Sequence, residues 1–227
     1  MAIVGVIPAA GYATRLQPLD GSKEVFPIGG RPVMDFLVDR MRLAGCQHLR
    51  VVTRPEKEDV IAHVEELEAT IVLARPASVA ESFLAGMKGL DEEDIVLIGF
   101  PDTVWEPEDG FVLLVQSVGE GGGVALGLFR ALELERCDVV VLGEDGRVMG
   151  IDVKPAEPRS EWIWGCAAAR VGTLAGLGTV DWPGSYFDSL CREGYEIRGV
   201  RLSDTFVDIG TKEALHRTQL LYGSDKD

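Results

Sequence analysis

A three-layer α/β/α fold around a mixed, mostly parallel central sheet is what this sequence predicts, and three observations predict it. The chain opens on a continuous apolar run, Ala2–Pro8, of the kind that forms a strand buried on both faces. Strand-like and helix-like segments then alternate as far as Ile98, the βαβαβαβ order of a Rossmann-like sheet with right-handed crossovers. After a flexible stretch, Gly119–Gly123, closely spaced strands with a hairpin signal take over, which makes the sheet mixed.

The elements follow in order. Pro32–Leu43 carries Val33, Phe36, Leu37, Met41 and Leu43 on a helical period, with Pro32 where a helix start favours proline and Gly45 suited to a left-handed cap. Strand His48–Thr53, helix Glu56–Leu67, strand Thr70–Ala74, helix Val79–Met87, strand Asp94–Ile98 and helix Asp109–Val118 come next. Val124–Arg130 and Asp138–Leu142 read as strands, and the turn Gly143–Gly146 leads back into Val148–Val153. Strand Glu161–Arg170, helix Ser185–Glu193, strand Tyr195–Leu202 and helix Lys212–Leu221 close the chain. With no repeat and no linker, residues 1–222 are expected to form one domain, and 223–227 a frayed tail.

Composition narrows the function. A net charge of −15 over 227 residues argues against nonspecific binding to nucleic acid or an anionic membrane. The start lacks the basic region of a signal peptide, and no run approaches the ~20 apolar residues of a membrane span, so a cytoplasmic protein is expected. The four cysteines form no C-x-x-C pair and the three histidines no ligand spacing, so buried free thiols are expected and a zinc site is not. The charge is uneven: residues 1–42 balance at +1, leaving −16 for the rest. An opening segment that escapes the acidic bias suits a site for an anion; an ordinary solvated surface is the plainer alternative.

The segment after the first strand, AAGYATRLQPLDGSKEVFPIGGRP, is a long loop of the sort that is usually functional or disordered. Small residues at Ala9–Ala13, Tyr12 excepted, let the backbone approach a phosphate, Arg15 offers a bidentate fork, and Lys23 a mobile charge. Neither G-x-x-x-x-G-K-[ST] nor a G-x-G-x-x-G after the first strand is present, so two common nucleotide loops are excluded.

This segment resembles the signature of the sugar nucleotidylyltransferases, the NDP-sugar pyrophosphorylases, over more than twenty consecutive positions. The resemblance implies the nucleotide-diphospho-sugar transferase fold, and joining of a sugar-1-phosphate to an NTP with release of pyrophosphate. By it, Ala9, Ala10, Gly11, Tyr12, Ala13 and Thr14 hold the nucleotide, while Arg15 and Lys23 stabilise the triphosphate and the departing pyrophosphate. Ser22 departs from the pattern, replacing the usual proline before the lysine.

Two further landmarks resemble the family's magnesium ligands. Asp102 follows the fourth core strand with Phe100-Pro101 inserted in the usual G-D, and Asp208 stands in SDTFVDIGTKEAL. Read alone, the first could cap a turn and the second start a helix. On the acceptor side the resemblance matches Lys154 to the lysine that meets the sugar phosphate and Gly165 to the glycine that lets the sugar approach. Val153 replaces the glutamate that grips sugar hydroxyls, and Ser78 stands in a base-reading stretch that has lost its glycine and glutamine. Trp162 and Trp164 could stack on a ring or simply fill the core.

Implied partners are therefore an NTP and a sugar-1-phosphate with Mg²⁺ as cofactor; a homo-oligomer is left open. The chain's end soon after Asp208 leads to the expectation that the added helices of longer thymidylyltransferases, and their allosteric site, are missing. Two rivals remain: the same chemistry on a non-sugar phosphate such as phosphocholine, and a nucleotide- or sugar-binding homologue without turnover.

Overall fold

The computed structural model describes the chain except for residues 13–15, 17–18, 20, 120–122, 132 and 223–227. The expected tail at 223–227 lies outside the described residues. In chain order the elements are β1 (Ile3–Pro8), β2 (Pro27–Ile28), β3 (Arg31–Pro32), α1 (Val33–Leu43), β4 (His48–Thr53), α2 (Glu58–Glu66), β5 (Thr70–Leu73), α3 (Val79–Met87), β6 (Ile95–Gly99) and β7 (Thr103–Trp105). They continue as α4 (Gly110–Gly119), β8 (Val124–Arg130), β9 (Asp138–Leu142), β10 (Val148–Val153), β11 (Trp162–Arg170), α5 (Pro183–Arg192), β12 (Ile197–Ser203), β13 (Phe206–Asp208) and α6 (Lys212–Tyr222).

Nine strands form the main sheet, in the order β10-β9-β11-β6-β1-β4-β5, with β8 on β11 and β12 on β8. Traced through the ladders, β1, β4, β5, β6, β8, β9 and β12 run one way, and only β10 and β11 oppose them. The sheet is mixed and mostly parallel, as expected. The long strand β11 is its seam: β8 lies along one edge, while β9 at Ile163 and β6 from Cys166 onward share the other.

One apolar cluster lies on each face. Phe83, Leu126, Trp164 and Phe187 belong to the face covered by α3 and α5, and Met34, Leu37, Val60 and Phe111 to the face covered by α1, α2 and α4. Each such side chain, fully removed from water, stabilises by roughly 1.5–3 kcal/mol.

A third, small cluster of Ile28, Val33, Val104 and Ile209 ties the chain's end to its beginning. Its anchor is a hairpin absent from the sequence reading. Gly29 and Gly30, at φ +56° and +79°, make the turn between β2 and β3. A Cβ on Gly29 would fall 2.3 Å from the Tyr222 carbonyl oxygen, so α6 seats directly on this turn. The ribbon β7–β13, also unexpected, carries Asp208 back beside the turn that holds Asp102.

Candidate functional site

Beyond β1 the chain emerges at the carboxyl ends of β1, β4 and β6, where open α/β sheets bind ligands. Ala9 and Ala10 are buried there and Tyr12 is exposed. Ala9 N–H still follows the ladder, donating to Val52 O at 2.7 Å. The carbonyls are held by cations. Lys57 Nζ donates to Ala9 O at 2.8 Å and Gly11 O at 3.1 Å, and Arg54 Nε donates to Ala10 O at 2.8 Å. The Arg54 guanidinium also lies 4.4 Å from the Tyr12 ring centroid. Among the described residues nothing comes within 4 Å of where a Cβ on Gly11 would stand, so no packing neighbour among them demands glycine. Ala13, Thr14 and Arg15 lie outside the described residues.

Lys23 opens a single 3-10 turn, Lys23–Val25, and its Nζ donates to Asp102 Oδ2. Burial opposes the ammonium, but the carboxylates of Asp102, Glu24 and Asp208 outweigh it and hold the lysine above its usual pKa. Asp102 sits in a tight turn after β6, in which Thr103 N–H and Oγ1 both donate to Phe100 O, at 3.3 and 2.9 Å. The next residue, Thr103, pairs with Asp208 in the β7–β13 ribbon, and Ile209 N–H donates to Asp102 O at 2.9 Å. Asp208 Oδ1 accepts the Gly210 N–H at 2.7 Å. Lys23, Asp102 and Asp208, far apart in sequence, thus share one corner. The inserted Phe100 is absorbed by packing, tilted on Trp164 at 5.5 Å and stacked on Trp182 at 6.4 Å between centroids.

The acceptor-side candidates separate. Lys154 follows β10 in the left-handed region, φ +46°, and its Nζ lies 4.4 Å from the Trp182 ring centroid. Asp138, at the start of β9, is buried, and its Oδ2 accepts both indole N–H groups, from Trp164 at 3.1 Å and Trp182 at 2.5 Å. Burial pushes the Asp138 carboxyl up, only partly offset by the two indoles and by Lys154. A Cβ on Gly184 would fall 2.0 Å from that Oδ2, so α5 begins pressed against the carboxylate. Gly165 faces elsewhere: its Cβ would fall 2.3 Å from Phe206 and 3.0 Å from Phe129, so packing alone requires glycine there. Trp164 is core, and Trp162 is flanked by Arg130 and Arg201 at 5.2 and 5.4 Å. Ser78 caps α3: its side chain accepts Glu81 N–H at 3.1 Å while Glu81 accepts Ala77 N–H at 2.7 Å. A cavity of about 600 Å³, lined by Asp152, Val153, Pro155, Asp188 and Arg192, flanks Lys154 and not the Lys23–Asp102 pair.

The MobA-like NTP transferase domain family matches residues 5–158. The chain belongs to this family. It is 25% identical over 167 residues to the glucose-1-phosphate thymidylyltransferase of Neisseria meningitidis serogroup A, covering 70% of this chain and 58% of that protein. The chain therefore spans less than two thirds of that relative's length. A UDP-glucose pyrophosphorylase from Acinetobacter baumanii shares the fold at TM-score 0.84 and 16% identity, covering 98% of this chain and 94% of the other. A UDP-glucose pyrophosphorylase complexed with UDP-glucose does so at 0.83 and 16%, covering 98% of each. The sequence matches agree with the resemblance carried by the opening segment, and the solved structures share the fold.

The span matched by the family contains the loop after β1, Lys23, Asp102 and Lys154, whereas Gly165 and Asp208 lie beyond it. Arg54, Lys57 and Asp138 were missed by sequence reading. Each acts across the fold on a partner set by tertiary packing, so no spacing announced them. The one available signal was an aspartate opening the apolar strand Asp138–Leu142.

Proposed function

We propose that the protein transfers a nucleotidyl group from an NTP to a sugar-1-phosphate, giving an NDP-sugar and pyrophosphate. An acceptor phosphate oxygen forms a bond to the α-phosphorus as the bond from that phosphorus to the bridging oxygen breaks, and pyrophosphate leaves with the electron pair. The nucleophile is already anionic, so no general base is needed, and catalysis is in-line placement plus neutralisation of charge.

The observation that carries this reading is the corner where Lys23, Asp102 and Asp208 meet at the carboxyl edge of the sheet. Lys23 supplies a charged donor to the departing phosphates, and Arg15 is assigned the same task. The backbone from Ala9 to Thr14 is assigned to cradle the triphosphate, and among the described residues none crowds Gly11 against close approach. Asp102 and Asp208 are hard oxygen donors suited to Mg²⁺, which usually takes one or two carboxylates and completes its shell with water and substrate phosphates. When bound there, the ion supplies charge neutralisation at the phosphates. Lys154 is assigned to the acceptor phosphate and Gly165 to close approach of the sugar.

One observation favours a second reading of the acceptor. Val153 is exposed where the resemblance places a sugar-gripping glutamate, and Lys154 instead meets an aromatic wall. A non-sugar phosphomonoester therefore belongs in the test. The measurement is Mg²⁺-dependent pyrophosphate release, with UTP, dTTP, CTP, GTP and ATP each offered against pooled sugar-1-phosphates and then phosphocholine. Release with one NTP and the sugar pool is expected. Release with phosphocholine alone would transfer the reading to the second acceptor, and silence from the folded protein in every pairing would overturn both.

A further inference from the structure

Two loops supply the proposed nucleotide side, and one short segment at the start of α2 grips both. Arg54 and Lys57 hold the carbonyls of Ala9, Ala10 and Gly11, as described above. Lys57 Nζ also donates to Glu24 Oε2 at 2.7 Å, in a pair whose side chains are only 11% and 1% exposed. Two residues further on, Asp59 accepts the Ser22 N–H at 2.6 Å and the Ser22 hydroxyl at 2.8 Å. Lys23 is therefore held on both flanks, through Ser22 and through Glu24, by residues of one helix start.

The chemistry of these contacts suggests what they are for. A carbonyl oxygen aimed at a triphosphate would repel it, whereas an N–H would bind it. Drawing three successive carbonyls onto cations leaves the amide side of the loop for the anion. The buried Glu24 carboxylate gives Lys57 a fixed partner; burial pushes its carboxyl up, and Lys57 and Lys23 pull it back. The Ser22 contacts account for a departure seen in the sequence. Proline, the family's usual residue before the lysine, has neither N–H nor hydroxyl and fixes φ by its ring. Ser22 spends both of its donors on Asp59; burial raises the Asp59 carboxyl, but the hydrogen bonds from Ser22 and Val60 together with the Lys57 charge hold it below its usual range.

We propose that Glu24, Lys57 and Asp59 are positioning residues for nucleotide binding. Lys57, with Glu24 behind it, aims the loop after β1 at the triphosphate. Asp59 replaces the stiffness of a proline by a two-donor clamp that keeps Lys23 in register with Asp102. This rests on the proposed binding of a nucleoside triphosphate.

The experiment titrates UTP, dTTP, CTP, GTP and ATP, each with Mg²⁺, into the full chain by calorimetry and takes whichever the wild type binds. Amide exchange of residues 9–12 is followed in parallel without nucleotide. Lys57→Met should weaken that nucleotide by about ten-fold, as expected for loss of charge-assisted hydrogen bonds. It should also quicken exchange at residues 9–12, leave the acceptor KM unchanged and be largely rescued by Lys57→Arg. Asp59→Ala should weaken the nucleotide, and adding Ser22→Pro to it should recover affinity, because proline restores the lost constraint. Should Lys57→Met fail to fold, the Asp59→Ala and Asp59→Ala/Ser22→Pro pair decides. A wild type that binds, with variants that bind equally well and exchange no faster, overturns the clamp and leaves the nucleotidyl-transfer reading standing. A folded wild type that binds none of the five nucleotides overturns both.

Discussion

The nucleotide side and the acceptor side of this molecule are built from different physics. On the first, charge-assisted hydrogen bonds from Arg54, Lys57 and Lys23 fix individual carbonyl and carboxylate oxygens. On the second, Phe100, Trp164 and Trp182 pack as planes around one buried carboxylate, and Lys154 rests on the outermost ring. Hydrogen bonds are directional and fail when an atom moves by a fraction of an ångström, whereas stacked rings tolerate exchange and shift. In the proposed reaction the phosphates must be held in line for attack, whereas the rest of the acceptor has only to be accommodated. A rigid polar cradle beside an adaptable aromatic wall suits that division.

The largest effect should come from breaking the corner on the nucleotide side. Asp102→Asn keeps the shape of the side chain and removes the charge that faces Lys23. In the pyrophosphate-release assay turnover should fall by about 10³-fold, in the range seen when a fixed electrostatic group is lost from a site. The turn itself should survive, because it is held by the Thr103 N–H and hydroxyl on Phe100 O and not by this carboxylate. Loss of the nearly buried pair with Lys23 should nonetheless lower the melting temperature by several degrees. Wild-type turnover in this variant would remove Asp102 from the reaction and blur the distinction between the two sides.

A smaller effect is expected on the acceptor side. Asp138→Ala leaves two indole N–H donors without an acceptor, which should cost about 2 kcal/mol and lower the melting temperature by roughly 4–8 °C for a chain of this size. Because Trp182 carries the Lys154 ammonium on its face, the acceptor KM should rise while the NTP KM holds. An equal rise in both would show the two sides to be coupled and would break the comparison.

Sequence legibility also divides by physics. Strands β4, β8, β9 and β10 and helix α3 match the expected bounds residue for residue, because apolar runs and helical periods record burial directly. The strands β2, β3, β7 and β13, of two or three residues each, are too short to carry a period and went unread. The β7–β13 ribbon is what brings Asp102 and Asp208 into one corner. Lys23, Asp102 and Asp208 were singled out through motif resemblance, while the partners that hold the loops, Lys57 and Asp59, looked like ordinary charges at a helix start. Gly165 shows the opposite hazard: a motif glycine whose local neighbours, Phe206 and Phe129, give it a sufficient packing reason.

The smallest effect is the most diagnostic, because the same direction of pH dependence has opposite causes on the two sides. Lys23 and Asp138 both have pKa values above their ordinary ones. For Lys23 a raised value means that folding favours its charge. Its contribution is full below the unfolded pKa, near 10.5, and is lost as pH rises through the folded value. Stability of the wild type over Lys23→Met, from urea unfolding, should stay level from pH 7 to about pH 10 and shrink above that. For Asp138 a raised value means that folding penalises its charge. The wild type should therefore lose ground to Asp138→Asn as pH climbs from about 4, near the unfolded carboxyl value, through the folded one. Asparagine keeps an oxygen for the indoles, so the pH-dependent part of that difference reports the charge alone. Both gaps should fall with rising pH, the Lys23 gap because a favoured charge is lost and the Asp138 gap because a penalised charge is gained. An Asp138 gap that stayed level above about pH 4, or a Lys23 gap that grew above about pH 10, would end the contrast between a cradle built to hold charge and a wall that tolerates one.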